Sequence, residues 1–219
     1  MALILDENRL LIVGSAPLLE AFGAVFPFRG RSGESPGSGP EGCGVIDLEL
    51  DRAPYRLAEY VSKGVAWVAG CAVRKTVAEM RREAGLAPAF PLMGINSLPG
   101  LMNGKVWEVA GAEGADEVIE AWKSRGLHLT RVPDQTGMVT PRVLFSIFNE
   151  AFLMLEEGVT DARGLDTAMK LGVNYPLGPI EWAQTVGLDT VIAVLDALFA
   201  ETADPRYEVV QLLRDQAGK

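Results

Sequence analysis

The stretch KLGVNYPLGPIEWAQTVGLDT, Lys170 to Thr190, closes one helix, stiffens a joint and opens the next. Gly178-Pro179 sets the entry of the second helix, because proline at a first-turn position has a preset φ and gives up no intrahelical hydrogen bond. Gly187 lets the chain leave that helix through a left-handed turn. The region around the joint therefore reads as helices joined by short, sharply defined links. Working upstream, Asp161 and Asp166 fall in the short helix before it. Arg142 to Glu157, RVLFSIFNEAFLMLEE, is apolar on most of its circumference, which predicts deep burial or a second subunit against it. Downstream, Thr190 to Ala200 and Tyr207 to Gln216 complete an all-helical domain over 133–219. That domain carries thirteen acidic against six basic side chains.

The first part of the chain has a different period. Arg9 to Gly14, RLLIVG, reads as a buried strand, and Ala16 to Phe26 follows at helical spacing with Pro17 in its first turn. Arg29 to Gly44 is rich in Gly, Ser and Pro and reads as a loop. Val45 to Leu50, Val65 to Cys71 and Leu127 to Val132 read as strands. Pro54 to Ser62, Arg74 to Ala84 and Ala115 to Ser124 read as helices. Pro91 to Val109 reads as irregular and then extended. Strands alternating with helices imply parallel βαβ units. The fold class expected is α/β plus all-α: a shortened, Rossmann-like doubly wound domain over 1–132, followed by the helical domain.

Composition excludes several functions. With 48% hydrophobic and 22% charged residues, the 219-residue chain can bury an ordinary core. A net charge of −9 and a pI near 4.7 argue against nucleic acid and anionic membrane as partners. Two cysteines, Cys43 and Cys71, and one histidine, His128, form neither a disulfide framework nor a metal motif. No apolar run approaches the roughly 20 residues of a membrane span, and the expected location is cytoplasmic.

One set of motifs in the helical domain is specific. Asp134-Gln135-Thr136-Gly137 is followed by NEAFLMLEEGV (Asn149 to Val159), LDTAMKLG (Leu165 to Gly172), PLGP (Pro176 to Pro179) and GLD (Gly187 to Asp189). In order and spacing, this set resembles the C-terminal domain of 3-hydroxyacyl-CoA dehydrogenases. The resemblance implies a homodimer formed through these helices, an acyl-CoA-like small-molecule ligand, and NAD as cofactor if the family activity is retained. It also implies a glycine-rich first turn, a base histidine in an HxxNP segment, and a glutamate twelve residues later that pairs with it.

The α/β domain departs from that pattern. Where G-x-G-x-x-G would hold a pyrophosphate, this chain has Gly14, Ala16 and Leu19, with Pro17 removing one amide donor. Asp47 and Glu49, on the next recognisable strand, lie farther from Gly14 than the ~20 residues expected of a ribose-binding acid. LMGINSLPGLMNGKVWEVAG, Leu92 to Gly111, resembles the family's base-bearing segment, with Glu108 in the place of the paired glutamate. Counting back twelve residues puts Asn96 at the histidine's place, matching the LM pairs puts Gly94 there with a two-residue insertion, and neither is histidine. Glu108 is then a relict, or bonds to Asn96 or Lys105. Pro141-Arg142 replaces the family's Asn-Arg, and Cys71 stands at a hydroxyl-bearing position. His128 reads as structural or half-exposed.

Three readings remain open. One is a family member that has lost hydride transfer and binds a ligand or associates with related enzymes, with no cofactor expected. Another is an active oxidoreductase on 3-hydroxyacyl-CoA or a related hydroxy acid, with a rearranged site using Glu108, Asn96, Ser97 or His128. The third is a scaffold whose inter-subunit face is its function.

Overall fold

The computed structural model describes residues 9–26, 31–33, 41–102 and 106–218, and the chain forms two compact units, Met1–Met138 and Val139–Lys219. The first is an α/β unit around a seven-stranded sheet. Its strands are β1 (Leu10–Val13), β2 (Arg31–Gly33), β3 (Gly44–Asp47), β4 (Trp67–Cys71), β5 (Leu92–Ile95), β6 (Val106–Ala110) and β7 (His128–Arg131). They stand in the order β2-β1-β3-β4-β5-β6-β7. β2 through β5 in that order run parallel, β5 and β6 are antiparallel, and β6 and β7 are parallel again.

Alternation along the strands separates two apolar faces. Leu10, Ile12, Ile46, Trp67, Ala69, Met93, Ile95, Trp107 and Val109 project to one face. There they meet Phe22 and Phe26 from and beside α1 (Ala16–Val25), and Val118, Ile119 and Trp122 from α4 (Asp116–Ser124). Leu11, Val13, Val45, Val68 and Leu92 project to the other face, against α2 (Arg56–Ser62) and α3 (Val77–Glu83). Both faces being covered, the central strands are buried along their whole length. VIDLEL, expected as a strand over Val45 to Leu50, therefore gives a buried strand that ends at Asp47, with Leu50 already in a 3-10 turn. Gly94 is required by close approach: a Cβ there would lie 2.5 Å from the Ala72 methyl and 2.8 Å from Val77.

Three expectations need correction here. The expected loop at 29–44 contains a strand, β2, which pairs with β1; residues 27–30 and 34–40 lie outside the described residues. Leu92–Ile95 is a central strand rather than irregular. The unit is not purely parallel, since β5 and β6 pair antiparallel across a link of ten residues, and a parallel return needs about a dozen residues or more.

The second unit is all-helical. It consists of α5 (Thr140–Glu156), α6 (Ala162–Gly172), α7 (Pro179–Val186), α8 (Leu188–Thr202), a 3-10 turn (Pro205–Tyr207) and α9 (Gln211–Ala217). Residues Tyr207–Val210, expected to begin the last helix, instead hold that turn and an extended link. Gly187, at φ +98°, ends α7 and begins α8, and the two helices meet at 91°. Asp161 caps α6 through the Gly164 N–H at 2.7 Å.

α5 is not deeply buried all round. Phe145, Phe148, Asn149 and Phe152 are buried within the unit, Ile147 and Met154 are half-buried, and Val143 is 57% exposed. Asn149, the asparagine of NEA, has a structural role. Its Nδ2 donates to the Glu208 carbonyl at 2.8 Å, and its Oδ1 accepts from the Val210 N–H at 3.0 Å, tying the link before α9 to α5. Asn149→Ala is expected to lower the urea-unfolding free energy by about 1–3 kcal/mol, since both backbone groups lose a partner. It should also speed amide exchange at Val210 first; unchanged exchange there would show that the link is held by other contacts.

Candidate functional site

In a doubly wound sheet the ligand crevice opens at the carboxyl ends of the strands, where the chain reverses direction across the sheet. Here that point lies between β1 and β3, because β2 and β3 flank β1 on opposite sides. The first turn runs Gly14-Ser15-Ala16-Pro17 into α1. Gly14 is tight against Leu48, whose Cβ would lie 3.2 Å from a Cβ added there. The Ser15 N–H donates to Glu49 Oε2 at 2.9 Å, and the Glu49 N–H donates to Asp47 Oδ1 at 3.0 Å. A side-chain carboxylate thus occupies the position at the α1 N-terminus that favours an anion.

Asp47 ends β3 and Glu49 follows it, so neither stands on the strand whose end is expected to carry a ribose-binding acid in this topology, which is β2. In the sequence Glu34 comes next after Gly33, twenty positions after Gly14, the spacing expected of such an acid. Glu34 lies outside the described residues. Asp47 is fully buried, accepting from Tyr60 Oη at 2.7 Å and from Arg56 Nη1 at 3.3 Å. Burial pushes its carboxyl above the ordinary value, with Tyr60, the Glu49 amide and Arg56 opposing.

A second buried carboxylate lies behind β4. Asp51 Oδ2 accepts from the Val73 N–H at 3.1 Å, the Arg74 N–H at 2.9 Å and Cys71 Sγ at 3.3 Å, and Oδ1 accepts from Arg74 Nη1 at 2.9 Å. Cys71 has no exposure. Burial and the Asp51 charge push its thiol up to about 12, which makes it a poor nucleophile and agrees with its reading as a small buried side chain. Ser97 Oγ donates to the Leu48 carbonyl at 3.1 Å, so it is committed to the chain.

Asn96 and Glu108 are brought together. β5 and β6 pair Gly94 with Ala110 and Ile95 with Val109. Continuing that register by one residue sets Asn96 opposite Glu108, about 5 Å apart at Cα. Both are buried, each 8% exposed, and Asn96 Oδ1 accepts from the Leu98 N–H at 3.3 Å. Lys105, the other partner considered for Glu108, lies outside the described residues. His128 stands on the neighbouring edge strand, where Val106 pairs with His128 and Glu108 with Thr130. Trp107, Val109 and Leu129 fill the opposite face, so Glu108 and His128 share one face of the sheet, roughly 8 Å apart at Cα. Because β6 and β7 run against β5, His128 lies at the same end of the sheet as the carboxyl ends of β1 to β5. It is exposed, beside a cleft of about 410 Å³ lined by Val106, Lys123, Leu127 and Thr130. The sequence offered Asn96, Glu108, Ser97 and His128 as members of one rearranged site, but not that Glu108 and His128 share a face of the sheet.

The helical unit has a second concavity, an apolar groove of about 300 Å³ lined by Ile147, Ala151, Met154, Leu165, Met169 and Pro179. Among the described residues no cluster of three His, Cys, Asp or Glu side chains could hold a metal, and no single helix is long and apolar enough to cross a membrane.

Comparison with known proteins locates the chain. Residues 137–218 match the family profile described as 3-hydroxyacyl-CoA dehydrogenase, C-terminal domain. The 3-hydroxyadipyl-CoA dehydrogenase of Escherichia coli K12 is 30% identical over 200 residues, 86% of this chain and 41% of that protein. The chain therefore spans about two fifths of that relative's length. The solved structure of an (S)-3-hydroxybutyryl-CoA dehydrogenase from Ralstonia eutropha superposes with a TM-score of 0.65 at 28% identity, covering 80% of this chain and 65% of that one. A diketoreductase structure, at 14% identity, shares the fold with a TM-score of 0.63 over 97% of this chain and 92% of its own.

Proposed function

On the premise that this chain belongs to the 3-hydroxyacyl-CoA dehydrogenase family through its C-terminal domain, we propose that it is an oxidoreductase acting on a 3-hydroxyacyl-CoA thioester or a related hydroxy acid through a rearranged site. The observation that supports this reading is that Asn96, just past β5, Glu108 on β6 and His128 on β7 stand towards the end of the sheet where β1 to β5 have their carboxyl ends. In the proposal His128 takes the hydroxyl proton, the role for which an imidazole suits neutral pH. Glu108 orients it and balances the imidazolium that forms. The Asn96 amide is proposed to donate to a substrate oxygen. The apolar groove along α5 and α6 is proposed to take an acyl chain or a second copy of the helical unit, giving a homodimer.

The family's cofactor, a nicotinamide dinucleotide, does not fit the first turn in the glycine-rich manner: Glu49 holds the Ser15 amide, Pro17 has none to offer, and Ala16 carries a methyl where backbone would approach pyrophosphate. That mismatch favours a second reading, in which ligand binding and association are kept and hydride transfer is lost. Assay of 3-hydroxybutyryl-CoA and longer thioesters with NAD separates the two. On the first reading turnover is measurable and falls on the order of 10²-fold or more in both Glu108→Gln and His128→Asn. No turnover on any chain length, with acyl-CoA still binding, sets the first reading aside in favour of the second.

A further inference from the structure

Glu49, which holds the Ser15 amide, is one of several carboxylates of the α/β unit that accept from backbone amides. Asp51 takes the Val73 and Arg74 N–H groups at 3.1 and 2.9 Å, after β4. Asp134 takes the Val77 and Ala78 N–H groups at 2.8 and 2.9 Å, where α3 begins. Amides so placed, at the carboxyl ends of parallel strands, are the groups that cradle phosphate in nucleotide-binding sheets. The geometry points to a self-ligated sheet end: the chain's own carboxylates stand where a ligand's phosphates would be held, and no phosphate of a dinucleotide is bound by the first turn or by the loop after β4.

The surrounding charges support this. Arg56 is committed to Asp47 and Arg74 to Asp51, while Arg52 Nη1 lies 4.0 Å from Glu49 Oε1. A pyrophosphate entering the first turn must either expel Glu49 or sit beside it as a like charge, in a chain already at −9. Leu48 also packs against Gly14 at the first turn. Leu48 is tied by its N–H to the Val13 carbonyl at 2.8 Å, so the segment cannot swing away without breaking main-chain pairing. The inference bears on the thioester reading in one respect: hydride transfer from the thioester then requires a dinucleotide held outside the first turn and the loop after β4, so turnover decides that reading and the amide shifts decide this one.

Titration of the isotopically labelled full chain with NADH to about 1 mM, following nicotinamide fluorescence and backbone amide shifts together, tests it. No saturation, in a sample whose dispersed spectrum shows it folded, agrees with the inference. So does saturation that leaves the Ser15, Ala16, Val73 and Arg74 amides unmoved, since the dinucleotide then lies elsewhere. Saturable binding that shifts those amides overturns it. Glu49→Ala provides an independent check: the Ser15 amide should exchange with solvent on the order of tenfold faster than in the wild type, and an unchanged rate would remove Glu49 from the assignment.

Discussion

Asp51→Ala is expected to cost the α/β unit about 3–5 kcal/mol, the range for removing one partner of a buried ion pair. Asp51 is 2% exposed and its carboxylate takes four donors: two backbone amides, the Cys71 thiol and the Arg74 guanidinium. Alanine leaves Arg74, whose side chain is 13% exposed, without this counter-charge, and leaves the amides of Val73 and Arg74 facing a void. Asparagine is no remedy. Its one oxygen can serve either the amides or the guanidinium, and its NH₂ then points donor to donor at the other. Asp51→Asn should therefore lose about 2 kcal/mol or more. Three of the chain's four tryptophans, Trp67, Trp107 and Trp122, lie in the core of this unit, so urea melts followed by tryptophan fluorescence report it directly. The double variant Asp51→Leu with Arg74→Leu should lose less than the single changes summed, because neither charge is then stranded. A loss under about 1 kcal/mol in Asp51→Ala would show that the loop after β4 is held by the sheet alone.

Much of this unit could be read from the residues. Buried runs such as VAWVAGC, and helical spacings such as that of Ala16 to Phe26, mark a βαβ alternation whatever the tertiary context. β2 escaped because Arg31-Ser32-Gly33 has no apolar side chain to betray it, and its pairing with β1 is made by the main chain. β5 escaped because Met and Gly are weak strand formers, yet Gly94 is demanded by the approach of Val77 and Ala72. The twelve-residue spacing of Asn96 and Glu108 was legible, and the antiparallel register explains why it brings the two together. The roles of Glu49 and Asp51 were not legible, because their partners stand 34 and 22–23 residues away in sequence. Side chains that act through such contacts leave no local period or motif. The circumference of α5 misled for a related reason: apolar content states what a helix could bury, not how much of it its own unit covers.

Gly178→Ala is expected to destabilise the helical unit by on the order of 3 kcal/mol, a size typical of overpacking combined with loss of a cap. The joint in PLGP needs glycine for a reason the sequence does not disclose. Gly178 sits at φ −70° and ψ 152°, open to any residue, so left-handed backbone is not the cause. A methyl there would lie 2.2 Å from both Cβ and Cγ of Asp166. Asp166 cannot yield cheaply. Its Oδ1 accepts from the Ile180 N–H at 2.9 Å and its Oδ2 from the Glu181 N–H at 3.2 Å, so this side chain of α6 caps the N-terminus of α7. Lys170 and Glu181 add a second, half-exposed link at 2.9 Å, worth little by itself. Alanine must therefore push α6 and α7 apart and break the cap together. Asp166→Ala removes the cap but keeps the Cβ, so it should cost about 1 kcal/mol and leave the Gly178→Ala penalty largely in place. Asp166→Gly removes the obstacle as well, and in that background Gly178→Ala should become nearly neutral, a coupling of about 2 kcal/mol or more in a double-mutant cycle. Trp182, on α7, reports the unfolding of this joint. Additivity of the two changes in that cycle would mean that the helices already part enough to admit a methyl, and that the glycine of this motif answers to something other than its contact with Asp166.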